Sequence, residues 1–217
     1  MPQVEVVSSA VSGGASFVVA YRLAGRRVVV VGGGEVAASR VFFALEADGV
    51  VMLVCPADEL VSGDLQARIA RREIGHVARR LAKEDLDGAA MVLSATSDVE
   101  VGQDVAAWCN ERRIPCNVAD VPKLCDFWLM SQHRQGDLQI AVSTNGHGPK
   151  LANRIRQHVA ASLPPRCDEA IRQISLLRQR VRQVDPAAAA MGKRMKWMSE
   201  ASEAPLEWVP ELYENYF

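Results

Sequence analysis

The sequence predicts an α/β fold: a doubly wound parallel sheet, then a short strand–turn–helix region, then a helical C-terminal part. Three observations carry this. A wholly apolar run, Val28 to Val31, stops dead at Gly32-Gly33-Gly34. Strand-like runs then alternate with helix-like ones as far as Asp120, the pattern of a parallel sheet with crossover helices. Beyond Asp120 the pattern changes to one alternating strand, a polar turn and helices with a narrow apolar seam.

The elements follow in order. Residues 1–16 contain no positive charge before Arg22, so they fit neither a secretory nor a mitochondrial signal and read as a loose tail. Residues 17–23 form a short apolar lead-in, expected as an extended segment packed on the sheet. The four valines suit a strand buried on both faces. The helix after the glycines sets Ala37, Val41, Ala44 and Leu45 on one face. A second strand is expected at 50–55. A helix is expected at 59–72, with Leu60, Leu65 and Ile69 inward. Residues 74–81 suggest a third strand, broken by charge and so near an edge. Residues 89–96 form a strong buried strand. Asp98 can cap the next helix, with Val101, Val105 and Trp108 on one side. A fifth strand at 115–119 ends at Asp120.

Residues 121–130 read as a loop with aromatics, and 137–144 as a strand. Asn145-Gly146-His147-Gly148-Pro149 is a turn, with Pro149 suited to the first helical position. Leu151, Ile155 and Val159 give that helix an apolar face. Pro164-Pro165 breaks it. Ala170, Ile174, Leu177, Val181 and Val184 then repeat at steps of four and three, a coiled-coil-like seam. Asp185-Pro186 ends that helix. Ala188, Met191, Met195 and Met198 continue the spacing, and the methionines are expected in the core. Leu206, Trp208, Val209, Leu212, Tyr213, Tyr216 and Phe217 are expected to pack on these helices or on a partner.

Gly32, Gly34 and Ala37 match the G-x-G-x-x-G/A pattern. The first glycine permits the tight turn. The second lets the backbone approach a pyrophosphate, and the small third residue lets the helix close on the strand. The helix then presents free N–H groups and its positive dipole end to the phosphates. The bland alternative is a glycine-rich turn that binds nothing. An Asp or Glu for the ribose usually ends the second strand. Here that strand ends in Cys55-Pro56, and the nearest acids are Asp58 and Glu59. No Arg stands there for a 2′-phosphate, so these residues leave NAD and NADP open.

The bulk numbers narrow the class. The chain has 217 residues, 49% of them hydrophobic, enough for one substantial core and a smaller appendage. Its net charge of −1 argues against a nucleic-acid binder, and no apolar run is long enough to span a bilayer. The five cysteines are odd in number and include no C-x-x-C, which points away from zinc or disulfide frameworks and toward a reducing cytoplasm. His76, His133, His147 and His158 show no metal-ligand spacing.

In a sheet of this kind ligands lie beyond the carboxyl ends of the strands. That places residues 32–36, 94–98 and 117–120 on one rim. Asp120 there can take a proton while a hydride leaves for a nicotinamide. It could also be an ordinary turn or capping residue, and Asp126 is its competitor. Position favours Asp120. Ser143-Thr144-Asn145-Gly146-His147, at a helix N-terminus, has the geometry of an anion site. Lys123, His133, Arg134, Lys150, Arg154 and Arg156 flank it. The cluster suits a substrate with several carboxylates, or is simply a solvated basic face.

Four stretches together resemble one family, the siroheme synthase N-terminal module (precorrin-2 dehydrogenase, in some members also sirohydrochlorin ferrochelatase). They are V-V-V-V-G-G-G-E-V-A-A-S-R, L-S-A-T-S-D, C-N-V-A-D-V-P-K-L-C-D-F and G-D-L-Q-I-A-V-S-T-N-G-H-G-P-K-L-A-N-R-I-R, spread from about Leu23 to about Val184. The resemblance implies a Rossmann-type NAD-binding domain over 1–129, a dimerisation region over 130–163 and a helical domain over 164–217. It implies a homodimer acting on the tetrapyrroles precorrin-2 and sirohydrochlorin, with Fe²⁺ as a further substrate if the chain is bifunctional. Asp120 would be the catalytic aspartate. Gly32, Gly33, Gly34, Glu35, Val36, Ala57, Asp58 and Thr96 would hold NAD. Asn117, Ser143, Thr144, Asn145, Gly146 and His147 would line the tetrapyrrole pocket, with no side-chain metal ligand. Trp128-Leu129-Met130 departs from the smaller or more polar stretch expected after C-D-F. No methyltransferase module follows, so the chain is not expected to make precorrin-2. The alternatives are a dehydrogenase without chelatase activity, a catalytically silent nucleotide- or tetrapyrrole-binding dimer, and an unrelated NAD(P) oxidoreductase.

Overall fold

A computed structural model of the protein describes residues 13–184 and 186–203. The chain divides into two compact units between Trp128 and Leu129. The first holds β1 (Arg27–Val31), α1 (Glu35–Glu46), β2 (Val50–Val54), α2 (Gly63–Ala70), β3 (Gly75–Val77), β4 (Met91–Ser94), α3 (Val99–Arg112) and β5 (Cys116–Val118). The second holds β6 (Ser131–Gln135), β7 (Leu138–Val142), α4 (Pro149–Ala161), α5 (Cys167–Val184) and α6 (Met191–Ser202).

The first unit is a five-stranded sheet in the order β3-β2-β1-β4-β5, parallel throughout. The chain winds outward from β1 to β3, then crosses to β4 and winds outward again. Its switch point therefore lies between β1 and β4, where Val31 pairs with Ser94. Val28, Val29 and Val30 have no exposed surface, as the unbroken valine run requires of a central strand. On α1, Ala37, Ala38, Val41 and Ala44 are buried. On α3 the inward face is Gly102, Val105 and Cys109, with Val101 and Trp108 flanking it. Asp98 caps α3: its Oδ1 accepts from the N–H of Glu100 at 3.0 Å and of Val101 at 3.3 Å.

Three expectations are corrected here. The helix expected over 59–72 is shorter. A 3-10 turn occupies Ala57–Glu59, and the N–H groups of Val61 and Ser62 donate to the carbonyl of Gly33, so α2 starts only at Gly63. Backbone pairing with the glycine turn outcompetes the first helical turn. The third strand shrinks to three residues at the sheet edge, since Arg79 leaves to pair with Asp85. The lead-in does not pack on the sheet: Phe17 is 92% exposed and only Leu23 is buried.

In the second unit β6 and β7 form an antiparallel hairpin, with Ser131 opposite Val142 and Gln135 opposite Leu138. The β6 strand was not expected, because Ser-Gln-His-Arg-Gln has no apolar alternation. α4 packs on this hairpin. It does so through buried Ala152 and half-buried Arg156, Val159 and Ala160 rather than the expected face: Leu151 is 53% and Ile155 42% exposed. Small Ala152 lets the helix axis close on the strands, and this rotates the larger residues outward. On α5, Ala170 and Leu177 are buried as the seam requires. Met198 is buried on α6, but Met191 and Met195 are exposed, against the expectation of a core stripe. Among the described residues no helix is long and apolar enough to cross a membrane. The expected tail packing of Leu206 to Phe217, and most of the loose N-terminal tail, lie outside the described residues.

Candidate active site

The glycine turn is built by three different constraints. Gly32 has φ +116, and a Cβ there would meet the Ala95 carbonyl oxygen at 2.5 Å. Strand β4 therefore passes too close for a side chain. Gly33 is equally closed: a Cβ would run into the Glu59 carbonyl and lie 2.8 Å from Leu60 Cα. The G-x-G pattern leaves this middle position free, so only the three-dimensional packing reveals the need. Gly34 is the opposite case. It is the N-cap of α1, no side chain caps it, and nothing lies within 4 Å of its Cβ direction. The first N–H groups of α1 therefore face open space over an uncovered backbone. This is a cradle an anionic pyrophosphate fits, with exposed Glu35 and Val36 beside it.

The neighbouring rim residues differ in role. Ala57 and Asp58 stand exposed in the 3-10 turn after β2. Cys55, where the ribose acid commonly sits, is buried. His76 Nε2 lies 3.0 Å from its carbonyl and 3.5 Å from its Sγ, and burial pushes the thiol pKa up. Thr96 Oγ1 accepts from the Asp98 N–H at 3.1 Å and so shapes the entry to α3. Ser94 is buried, and its hydroxyl has no partner.

Asp120 sits at the tip of a tightly fastened loop. Ala119 N–H donates to the Ser94 carbonyl at 2.9 Å. The Cys125 thiol donates to the Val118 carbonyl at 3.1 Å, and Asn117 Nδ2 donates to the Phe127 carbonyl at 2.8 Å. Asn117 thus holds the loop from beneath and is 5% exposed. Asp120 itself is exposed, with φ +61. Asp is among the few non-glycine residues that adopt the left-handed region readily, so it can hold this turn.

Sequence reasoning missed Arg40. It lies on the flank of the buried face of α1, half-buried, and its Nε is buried with no hydrogen-bond partner. Burial lowers its pKa; the nearby Cys125 and Asp120 oppose that shift. Its signal was available: one charge at the edge of an apolar helical face, six residues after Gly34.

The polar turn belongs to the second unit. Ser143 Oγ accepts from Asn145 N–H at 3.1 Å, and Thr144 Oγ1 accepts from Gly148 N–H at 3.1 Å. His147 N–H donates to the Thr144 carbonyl at 2.9 Å. Asn145 and Gly146 adopt φ +48 and +80. The turn is thus preset before α4. Among the described residues no group of three His, Cys, Asp or Glu could hold a metal ion.

A parallel sheet with this glycine turn at its switch point defines a protein of the NAD(P)-binding dinucleotide-fold class. Comparison with known proteins agrees and goes further. Residues 19–131 match an NAD(P)-binding family, 135–162 the sirohaem biosynthesis protein central family and 164–209 the sirohaem biosynthesis protein C-terminal family. The siroheme biosynthesis protein met8 of Schizosaccharomyces pombe is 40% identical over 93% of this chain and 77% of its own length. The siroheme synthase of Thioalkalivibrio sulfidiphilus is 38% identical over 68% of this chain, which spans 30% of that longer protein. The solved structure of SirC, a precorrin-2 dehydrogenase, shares the fold: TM-score 0.71 at 21% identity, covering 93% of this chain and 100% of that one. The chain belongs to the sirohaem biosynthesis protein family.

Proposed function

We propose that the protein is an NAD-dependent precorrin-2 dehydrogenase of siroheme biosynthesis, yielding sirohydrochlorin. The observation that carries this is the presence, on one sheet rim, of an open phosphate cradle at Gly34 and an exposed carboxylate, Asp120, on a left-handed turn. Membership of the sirohaem biosynthesis family supplies the substrate.

Bound NAD⁺ supplies the hydride acceptor. The chain's residues do the rest. Gly32 and Gly33 close the turn, Gly34, Glu35 and Val36 present the backbone to the pyrophosphate, and Ala57, Asp58 and Thr96 border the nucleotide. Asp120 takes the proton that the tetrapyrrole releases. In this reading Asn117 supports the Asp120 loop. Ser143, Thr144, Asn145, Gly146 and His147, with the basic residues of α4, meet the carboxylates of the macrocycle. Fe²⁺ would be a substrate of the same site, inserted into the macrocycle, with Asp120 as the aspartate that chelation needs. Residues 1–129 would form the nucleotide domain, 130–163 the dimerisation region and 164–217 the helical domain of a cytoplasmic homodimer. Exposed Leu151 and Ile155 support the dimer.

The test is anaerobic absorbance of precorrin-2 with the purified protein, with and without NAD⁺, followed by Fe²⁺. An NAD⁺-dependent rise of the sirohydrochlorin spectrum is expected. Its absence from folded, NAD⁺-binding protein overturns the reading. A further Fe²⁺-dependent shift above the protein-free rate adds the chelatase.

A further inference from the structure

β5 is the last strand of its sheet, so one side of it meets no neighbouring strand. Such an edge is a row of unpaired backbone groups, and proteins cover it. Here the chain turns back and supplies the cover itself. Val121 N–H donates to the Val118 carbonyl at 3.3 Å and closes a four-residue turn, with Asp120 as its third residue at φ +61. A 3-10 turn over Pro122–Leu124 then brings Cys125 and Asp126 alongside β5. Asp126 takes both backbone groups of Cys116, and Asn117 Nδ2 donates to the Phe127 carbonyl at 2.8 Å. Val118 falls to Cys125. The sulfur accepts from the Val118 N–H at 3.3 Å. It lies 3.1 Å from the Val118 carbonyl and 3.4 Å from the Val121 carbonyl, either of which can take its one proton. Val118 and Val121 are the two ends of the Asp120 turn. Burial pushes the thiol pKa up, so the proton stays on sulfur at neutral pH.

We propose that Cys125 is the positioning residue for Asp120, its thiol tying together the two ends of the turn on which that carboxylate stands. The inference deepens the dehydrogenase reading and rests on it only for the role of Asp120 as proton acceptor. In this role Cys125 touches neither cofactor nor substrate. A turn fixed before the substrate arrives has no freedom left to lose at proton transfer, and a displacement of about 1 Å costs about a hundredfold in rate. A hydroxyl has the donor and acceptor capacity of a thiol, whereas a methyl has neither. Serine should therefore substitute for Cys125, and alanine should not.

The test compares Cys125→Ser and Cys125→Ala in the full chain. Amide hydrogen exchange needs no substrate. The Val118 N–H should exchange about tenfold faster in Cys125→Ala, which removes its partner, and near the wild-type rate in Cys125→Ser. Equal exchange in all three proteins would overturn the tie. Turnover of precorrin-2 is the second readout. Cys125→Ala should lower kcat by about tenfold to a hundredfold, with NADH affinity by fluorescence unchanged, and Cys125→Ser should restore most of it. In an Asp120→Asn background Cys125→Ala should cost nothing further. Losses that multiply would overturn the positioning role. So would a Cys125→Ser enzyme as slow as Cys125→Ala, or a fall in NADH affinity that matched the fall in kcat. If Cys125→Ala does not fold, Cys125→Val, which fills the space without donor or acceptor, takes its place in every comparison. The expected exchange pattern in a wild type that turns over no precorrin-2 would sink the dehydrogenase reading and leave the tie standing.

Discussion

Asp126 binds Cys116 twice: its Oδ2 accepts from the Cys116 N–H at 2.8 Å, and its own N–H donates to the Cys116 carbonyl at 2.9 Å. The side chain behaves as an extra ladder rung at the start of β5. This makes Asp126 a clamp for the loop that carries Asp120. Asp126→Ala leaves the Cys116 N–H unsatisfied, which costs about 1–3 kcal/mol. Asp126→Asn keeps an acceptor oxygen and should retain most of the stability. Urea unfolding of the two variants measures this. Equal losses would show that the carboxylate oxygen does not matter.

Asp120 should behave differently. Asp120→Asn tolerates φ +61 and folds, while turnover falls by about a hundredfold to ten-thousandfold, the usual loss for a positioned proton acceptor. NADH binding, followed by fluorescence, should be unchanged. A fall in nucleotide affinity that matched the fall in turnover would instead make Asp120 a cofactor ligand.

The glycine turn yields a contrast between neighbours. Gly33→Ala forces a methyl into the Glu59 and Leu60 backbone and should cost about 1–3 kcal/mol by overpacking. Gly34→Ala meets no atom within 4 Å and keeps an allowed conformation, φ −95 and ψ −172. It should fold like the wild type but bind NAD⁺ about tenfold more weakly, a loss of about 1.4 kcal/mol, because the methyl stands where the pyrophosphate approaches. Thermal melts and NADH titration separate the two effects. Undiminished affinity in Gly34→Ala would move the cofactor elsewhere.

Asp85 sets an acid limit on stability. It is 8% exposed, accepts from Arg79 at 2.6 and 2.8 Å, and accepts from the Ala82 N–H at 2.8 Å. The Arg79 hydrogen bond, helped by the Ala82 N–H, holds its carboxyl below the usual carboxylate range. A depressed folded-state value means stability that is complete above the unfolded pKa, about 3.9, and lost as pH falls through the folded value. Asp85→Asn should flatten the loss of unfolding free energy below about pH 4. Arg79 is half exposed, so part of the pair remains hydrated and the effect at neutral pH is about 1 kcal/mol. A parallel acid limb in wild type and variant would assign it to another carboxylate.

The parallel sheet and its switch point were legible because their signals are local. Four valines and a glycine turn need no tertiary context, and Asp98 caps α3 through its own neighbours. What escaped depended on partners outside the segment itself. The β6 strand is polar and exists through its register with β7. The need for glycine at Gly33 comes from the backbone of residues 59 and 60. Asp120 stood out from Asp126 by position alone. In the structure the Asp126 carboxylate accepts from the Cys116 N–H, while Asp120 stands exposed on a left-handed turn.

The exposed stripe on α4 should be where two copies meet. Leu151 and Ile155 lie one helical turn apart, both at least 42% exposed, on a helix whose other face already covers the β6–β7 hairpin. Burying each across an interface contributes about 1–2 kcal/mol, so losing both from two protomers weakens dimerisation by orders of magnitude. Sedimentation should give the wild type twice the 23.6 kDa chain mass and Leu151→Lys/Ile155→Glu the mass of one chain. Met195→Lys provides the control. Met195 is more exposed still, on α6, and its replacement should leave the mass unchanged. If the α4 variant stays dimeric and Met195→Lys dissociates, the contact lies on the helical domain instead.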